Sequence, residues 1–254
     1  MNIFSVINID IVNSRKLQDR QAIQETLNNY IKEVNNTFKE DLASSITMTL
    51  GDEWQIVLKE PNKSYCIIDK FQRLLKKYNI DIYAGIGIGS ISTKIYDDTR
   101  LMDGECFVKA REALNISKNN NRFYSKNLNS KKNRIYFNGE NINFINHTLT
   151  TPILREVAVT GEEESLCSLS INNIINTLIE NNEVLKSKIT NKQLEIIDLY
   201  EKVGSYNNIV KNRPEISKAS ISQKLNDANY FVINNNDFMI QSLLDLYCKI
   251  RGGS

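Results

Sequence analysis

The stretch SITMTLGDEWQIVLKEP, residues 45–61, decides how the rest of the chain is read. Two short runs of strand-forming residues, 45–50 and 54–58, are separated only by Gly51-Asp52-Glu53, with Gly at the tight position. Apolar and β-branched runs joined by so few turn-forming residues fold as a hairpin. Pro61 then stops the second strand, because proline brings no backbone donor to a ladder.

Upstream, residues 3–12 are rich in β-branched side chains and predict a buried first strand that breaks at Asn13-Ser14-Arg15. Over residues 20–38, Ile23, Leu27, Ile31, Val34 and Phe38 recur at spacings of three and four, which predicts a helix with one apolar face turned to a sheet. Downstream, residues 64–78 repeat the helical pattern through Ile67, Ile68, Phe71, Leu74 and Leu75. Residues 81–91 predict a further strand carrying Gly85, Gly87 and Gly89. The order strand, helix, strand, strand, helix, strand is a split β-α-β, the ferredoxin-like palm arrangement.

Residues 103–117 predict another helix, followed by a basic, Asn-rich, loop-bordered hairpin through Arg134 and by strand-like fragments around His147 and Pro152. Residues 169–189 predict a linking helix. The organisation expected is therefore α+β: a palm domain over 1–168, a linker helix over 169–189, and an all-α domain over 190–251. In that last part Thr190 and Gln193 form a capping box and Gly204 ends the helix they start. A second short helix is expected over 206–212, before Pro214. A third follows the cap residue Ser217 to about Asn229, with Ala219, Ile221 and Leu225 packing inward. Short helices joined by tight polar turns follow the helix-turn-helix plan. The same pattern also serves a protein-interaction or dimerisation bundle. The closing helix, 237–250, is expected to pack on this bundle or to pair with a second copy, making a homodimer.

Composition excludes several classes. A net charge of +2 rules out a polycation, so any nucleic-acid contact must come from a local patch. Cys66, Cys106, Cys167 and Cys248 are scattered, with no CxxC pair, and predict reduced thiols. The N-terminus lacks a basic leader, and no run has the roughly 18 apolar residues of a membrane span; the expectation is a cytoplasmic protein with no membrane partner. His147 is the single histidine, so a hydrolase triad has no other imidazole to draw on.

Chemistry gathers around two carboxylates. Asp10 ends the first strand and Asp52 lies in the hairpin turn, so a palm would bring them together, where like charges repel unless a cation intervenes. Hard oxygen donors suit Mg²⁺ or Mn²⁺, which hold nucleotide phosphates in phosphoryl-transfer sites. Alternatively, Asp10 is a cap and Asp52 an ordinary turn residue. The glycines of 85–89 are no dinucleotide fingerprint, since no helix begins there; close backbone approach in a sheet explains them better.

Asp10-Ile11, Gly51-Asp52-Glu53, Gly85-Ile86-Gly87-Ile88-Gly89 and Ala110-Arg111 resemble the successive landmarks of class III nucleotidyl cyclases, and the hairpin resembles that of GGDEF diguanylate cyclases. More closely, residues 10–15, 51–55, 85–89, Asp103-Gly104 and 110–114 are similar to the bacterial SatD family, with the terminal helix-turn-helix in the same place. The resemblance implies that Asp10 and Asp52 are metal ligands, that Ile11, Arg15 and Gly51 meet a nucleotide's phosphates, and that Arg111 stands where cyclases stabilise the transition state. It implies a nucleoside triphosphate and double-stranded DNA as partners. Two departures bear on catalysis: Met48 where purine cyclases carry a base-reading Lys, and Phe107 or Cys106 where they carry an Asn. Arg111 alternatively pairs with a carboxylate such as Asp103, and Arg15 is alternatively a solvated loop charge.

Between Lys186 and Asp227, eight basic residues stand against five acidic ones, a surplus mild for DNA. On the third short helix Lys218, Ser220, Ser222, Gln223 and Lys224 are the side chains able to reach phosphates and base edges. The expectation is a regulator coupling a metal–nucleotide palm to a DNA reader; the alternatives are an active cyclase or nucleotidyltransferase and a scaffold with a degenerate site.

Overall fold

The computed structural model describes residues 2–17, 19–119, 128–142 and 170–252. His147, Pro152, Cys167 and most of the stretch expected to form a hairpin after 118 lie outside these residues. The chain is mixed α/β, with a five-stranded mixed sheet and several helices.

Strand β1 (Phe4–Ile11) leads to α1 (Arg20–Thr37), the hairpin β2 (Thr47–Leu50) and β3 (Glu53–Leu58), α2 (Ser64–Lys76) and β4 (Ile82–Gly89). The sheet order is β2-β3-β1-β4-β5. Neighbours are antiparallel from β2 to β4, while β5 (Ile135–Asn138) adds parallel to β4. At the hairpin Leu50 pairs with Glu53, so the turn is Gly51-Asp52 alone and Glu53 opens the strand. Gly51 has no positive φ, so its glycine freedom is not what the turn uses.

Both faces of the sheet are covered, which is why β1, β3 and β4 are almost wholly buried. On one face Ile7, Ile9, Trp54 and Ile86 share a core with Leu27, Ile31 and Val34 of α1 and with Ile67, Ile68 and Phe71 of α2. Trp54 lies tilted against Phe71, ring centroids 5.3 Å apart. On the other face Val6 and Val57 pack with Cys106, Phe107 and Ala110 of α3 (Glu105–Lys118).

Helix α3 lies so close to β4 that the glycines have a steric purpose. A Cβ at Gly85 would stand 2.1 Å from the Leu114 nitrogen, and one at Gly87 2.1 Å from the Ala110 nitrogen. The close approach expected of Gly85 and Gly87 is thus a helix backbone laid on the strand, with Ala110 and Ala113 supplying small residues in return.

Helix α4 (Ile171–Lys186) and α8 (Tyr230–Gly252) pack against the same core as the sheet through Ile175, Ile179, Ile240, Leu244 and Tyr247. Between them, α5 (Asn191–Val203), α6 (Tyr206–Asn212) and α7 (Lys218–Asp227) enclose a separate cluster built on Ile196, Ile197, Ile209, Ile221 and Leu225. The caps fall as expected: Thr190 and Gln193 form the reciprocal box, Gly204 closes α5 at φ 75°, and Ser217 accepts from the Ser220 N–H. Ala219, expected to pack inward, is exposed. It is two residues from Ile221, about half a turn around the helix, so both cannot face one core. Cys66, Cys106 and Cys248 are free. Among the described residues no helix is long and apolar enough to cross a membrane.

Candidate functional site

One end of the sheet gathers three carboxylates. Asp10, the penultimate residue of β1, lies directly opposite Glu53 in the β1–β3 ladder. The backbone N–H of Ile11 donates to the Asp52 carbonyl at 3.2 Å, which ties the end of β1 to the hairpin turn. Ser14 follows a left-handed Asn13 (φ 54°) and donates its hydroxyl to Asp52 Oδ2.

Cations from α3 meet this cluster. Arg111 forms a two-pronged pair with Glu53, Nη2 to Oε1 at 2.8 Å and Nη1 to Oε2 at 2.9 Å. Glu53 is only 3% exposed, and it also accepts from the Thr49 hydroxyl at 3.1 Å. Lys118 sits 2.7 Å from Asp10 Oδ2 and 3.9 Å from Glu53 Oε2. Burial pushes the Asp10 carboxyl above its ordinary range; Lys118 draws it down, while Asp52 and Glu53 push it up again. Burial is the main cause of the rise, and the two neighbouring acids add the smallest part of it.

The sequence-derived residues thus divide. Asp10, Ile11, Asp52, Gly51 and Arg111 meet at this end of the sheet. Arg111 pairs with Glu53 rather than with Asp103, because its helix crosses the sheet face instead of keeping its charges to itself. Arg15 is exposed, in the short 3₁₀ turn Ser14–Lys16 after β1, and makes no ion pair among the described residues. Met48 pairs with Trp54 across the hairpin, and Phe107 is buried against the α3 face of the sheet.

Three contributors were not singled out from sequence. Ser14 holds Asp52, Lys118 answers Asp10, and the Arg20 guanidinium reaches the hairpin turn, 3.5 Å from where a Gly51 Cβ would stand. Lys118 had a readable signal: seven residues after Arg111 is two helical turns, hence the same face.

The donor set suits a hard divalent cation, which commonly binds through one or two carboxylates, water and phosphate oxygens. Among the described residues no group of three or more His, Cys, Asp or Glu side chains is arranged to hold a metal ion. In this conformation Lys118 supplies the positive charge at Asp10.

On α7, Lys218 and Gln223 are exposed, whereas Ser220, Ser222 and Lys224 are half-buried; Lys224 donates to the Ser220 hydroxyl at 2.9 Å. Ile221 and Leu225 fix this orientation by filling the helical core.

A search of the curated proteins finds no match. Comparison with known protein families matches the SatD family over residues 4–151, a span that runs from β1 past β5 and stops short of α4. With more than half of its length matched, this chain belongs to the SatD family.

Proposed function

We propose that this protein is a regulator in which a ferredoxin-like, nucleotidyl cyclase-like palm binds a metal–nucleotide and a C-terminal helix-turn-helix contacts double-stranded DNA. The palm reading is supported by the strand order, in which β1 and β2 run parallel on either side of an antiparallel β3, with β4 antiparallel on the far side of β1. The observation that carries the site is the meeting of Asp10 and Asp52 beside Glu53, with Arg111 and Lys118 facing them. On this reading Asp10 and Asp52 take Mg²⁺ or Mn²⁺, and the backbone at Ile11 and Gly51 faces the phosphates. On the same reading Arg15, Arg20 and Arg111 are the side chains that answer phosphate charge.

Lys118 stands in the way of a cation at Asp10, so binding requires its ammonium to swing off and exchange one positive charge for another. That favours a sensor over an enzyme, as does the apolar Met48 at the base-reading position. The cyclase reading stays distinguishable by its product.

For the reader, the exposed edge of α7 offers Lys218 and Gln223, with the half-buried Ser220, Ser222 and Lys224 beside them. A helix that buries every fourth residue and turns amide and ammonium groups outward is fit for a major groove. Of the division expected from sequence, 1–168 for the palm, 169–189 for a linker helix and 190–251 for the reader, this reading keeps the reader as the cluster of α5 to α7; α4 and the end of α8 pack in the core of the sheet.

The test is thermal unfolding with Mn²⁺ and each of the four nucleoside triphosphates, on wild type and on Asp10→Ala/Asp52→Ala, followed by chromatography of the same mixtures. Stabilisation by metal plus nucleotide that disappears in the double variant supports the palm site. A new nucleotide product promotes the cyclase, and absence of any shift leaves the scaffold.

A further inference from the structure

We propose that the cavity at the seam between the sheet and the C-terminal helices binds a small organic anion, an acidic group on an apolar or aromatic body that also carries an N–H or O–H donor. The cavity measures about 240 Å³ and is walled from both sides. Ile80 and Ile82 line it where the chain passes from α2 to β4; Leu194 and Ile197 of α5 and Ile233 of α8 line it opposite. Sites of this kind favour seams between parts of a chain, and drug-sized ones measure about 300–1,000 Å³, so this one suits a ligand of one or two rings.

The polar groups around the apolar floor decide the ligand's charge. Most lining cations are committed: Arg73 to Asp69 at 2.7 Å and to Glu201 at 2.7 Å, Lys186 to Asp69 at 2.6 Å, Arg134 to Asp81 at 2.8 Å. Lys76 is not. Its ammonium donates only to the Lys186 carbonyl, at 3.0 Å, and no carboxylate lies within ion-pair distance among the described residues. Burial lowers its pKa, and the pull of Asp81, Glu183 and Asp69, none of them within ion-pair distance, does not make up the loss. Gln72, beside it, gives its Nε2 to Glu183 at 2.6 Å, and its carbonyl oxygen is buried without a partner among the described residues. Buried polar atoms are nearly always paired in folded proteins, so an orphan acceptor and a half-buried ammonium with no carboxylate in contact, side by side in a cavity that Asp69, Asp81 and Glu183 also line, point to a missing partner. An anionic oxygen answers Lys76 and a ligand donor answers Gln72. Because both walls contribute, occupancy would tighten the seam that joins α5 to α2.

The probe is 5-aminonaphthalene-1-sulfonate, which has an anionic group, an N–H donor and two fused aromatic rings; its uncharged analogue 1-naphthylamine is the control. Both are titrated by fluorescence into the full chain. The expected result is one saturable site for the sulfonate, weakened about tenfold or more by Lys76→Met. The neutral analogue is unaffected by that change, and Leu194→Trp, which fills the cavity, removes both. Phe238→Ser, on the exposed apolar stripe of α8, leaves binding unchanged. Absence of saturable binding, or sulfonate binding indifferent to Lys76→Met, overturns the proposal. So does binding lost only with Phe238→Ser. Should circular dichroism show Leu194→Trp unfolded, Lys76→Met with the paired probes decides alone.

Discussion

Replacing Gly87 by alanine tests the packing that positions the site. The new methyl would stand 2.1 Å from the Ala110 nitrogen and 2.3 Å from the Cys106 carbonyl oxygen. Both obstacles are backbone atoms of α3, so no rotamer change relieves them, and the helix must retreat by roughly 1 Å to reach ordinary contact distance. Overpacking a filled core costs about 1–3 kcal/mol and occasionally more. Removing a glycine restricts the unfolded chain and returns about 0.4–1 kcal/mol. A rigid obstruction belongs at the upper end, so the net loss expected is about 2–3 kcal/mol. At roughly 2–4 °C per kcal/mol for a chain of this size, Tm falls by about 4–12 °C. The assay is urea and thermal denaturation followed by far-UV circular dichroism and by the fluorescence of Trp54, which is buried in the core across the sheet. Gly51→Ala is the matched control: its methyl would meet only the tip of Arg20 at 3.5 Å, and its φ is ordinary, so stability should stay within about 0.5 kcal/mol. A Gly87→Ala protein as stable as Gly51→Ala would refute the close α3–β4 contact, and with it the reach of Arg111 and Lys118 to the acids.

Three further outcomes follow from the same contacts. Arg111→Ala strips Glu53 of its paired guanidinium while the carboxylate stays buried, and should destabilise by about 2 kcal/mol in denaturant titrations; Arg111→Lys should recover less than half, since an ammonium cannot match the two-pronged geometry. Burial pushes the Asp237 carboxyl up to about 7, with Lys186 opposing and Asp69 adding to the rise. A raised acid pKa means the folded state holds the proton longer, so this residue's contribution is full below about pH 4 and is lost as pH rises through about 7. Asp237→Asn should therefore match wild type near pH 4 and exceed it at pH 8 by on the order of 2 kcal/mol, measured as Tm against pH. On the DNA side, Lys218→Ala and Lys224→Ala should each weaken duplex binding and reduce the slope of log affinity against log salt by about 1, in fluorescence anisotropy titrations; unchanged slopes would remove α7 from the interface.

Much of the fold was legible because its signals are short-range. The apolar spacing in α1 and α2, the hairpin around Gly51-Asp52, the capping box at Thr190 and the αL glycine at 204 are each written within a few residues. Tertiary pairing was not. Gly85 and Gly87 announced that something approaches closely, but only the fold identifies it as the α3 backbone. Arg111 announced a charge needing a partner, and that partner, Glu53, is 58 residues away. The buried set around Lys186 was wholly unread: its ammonium meets Asp69 and the Tyr65 hydroxyl, which in turn donates to Glu183 at 2.8 Å. Residues 118 or 121 positions apart share no sequence pattern, and α2 and α4 each read separately as an ordinary amphipathic helix. Ala219 was misjudged because it was grouped by hydrophobicity rather than by its angle around α7.

Everything proposed for the palm turns on Asp10 and Asp52 holding a divalent cation for a nucleotide. The most direct measurement is an electron paramagnetic resonance titration of Mn²⁺ with a nucleoside triphosphate present, on wild type, Asp10→Ala/Asp52→Ala and Lys118→Met. The expected result is one bound Mn²⁺ per chain in wild type, none in the double variant, and tighter binding once the competing Lys118 ammonium is gone. Equal Mn²⁺ binding in all three proteins, or none in any, would contradict it.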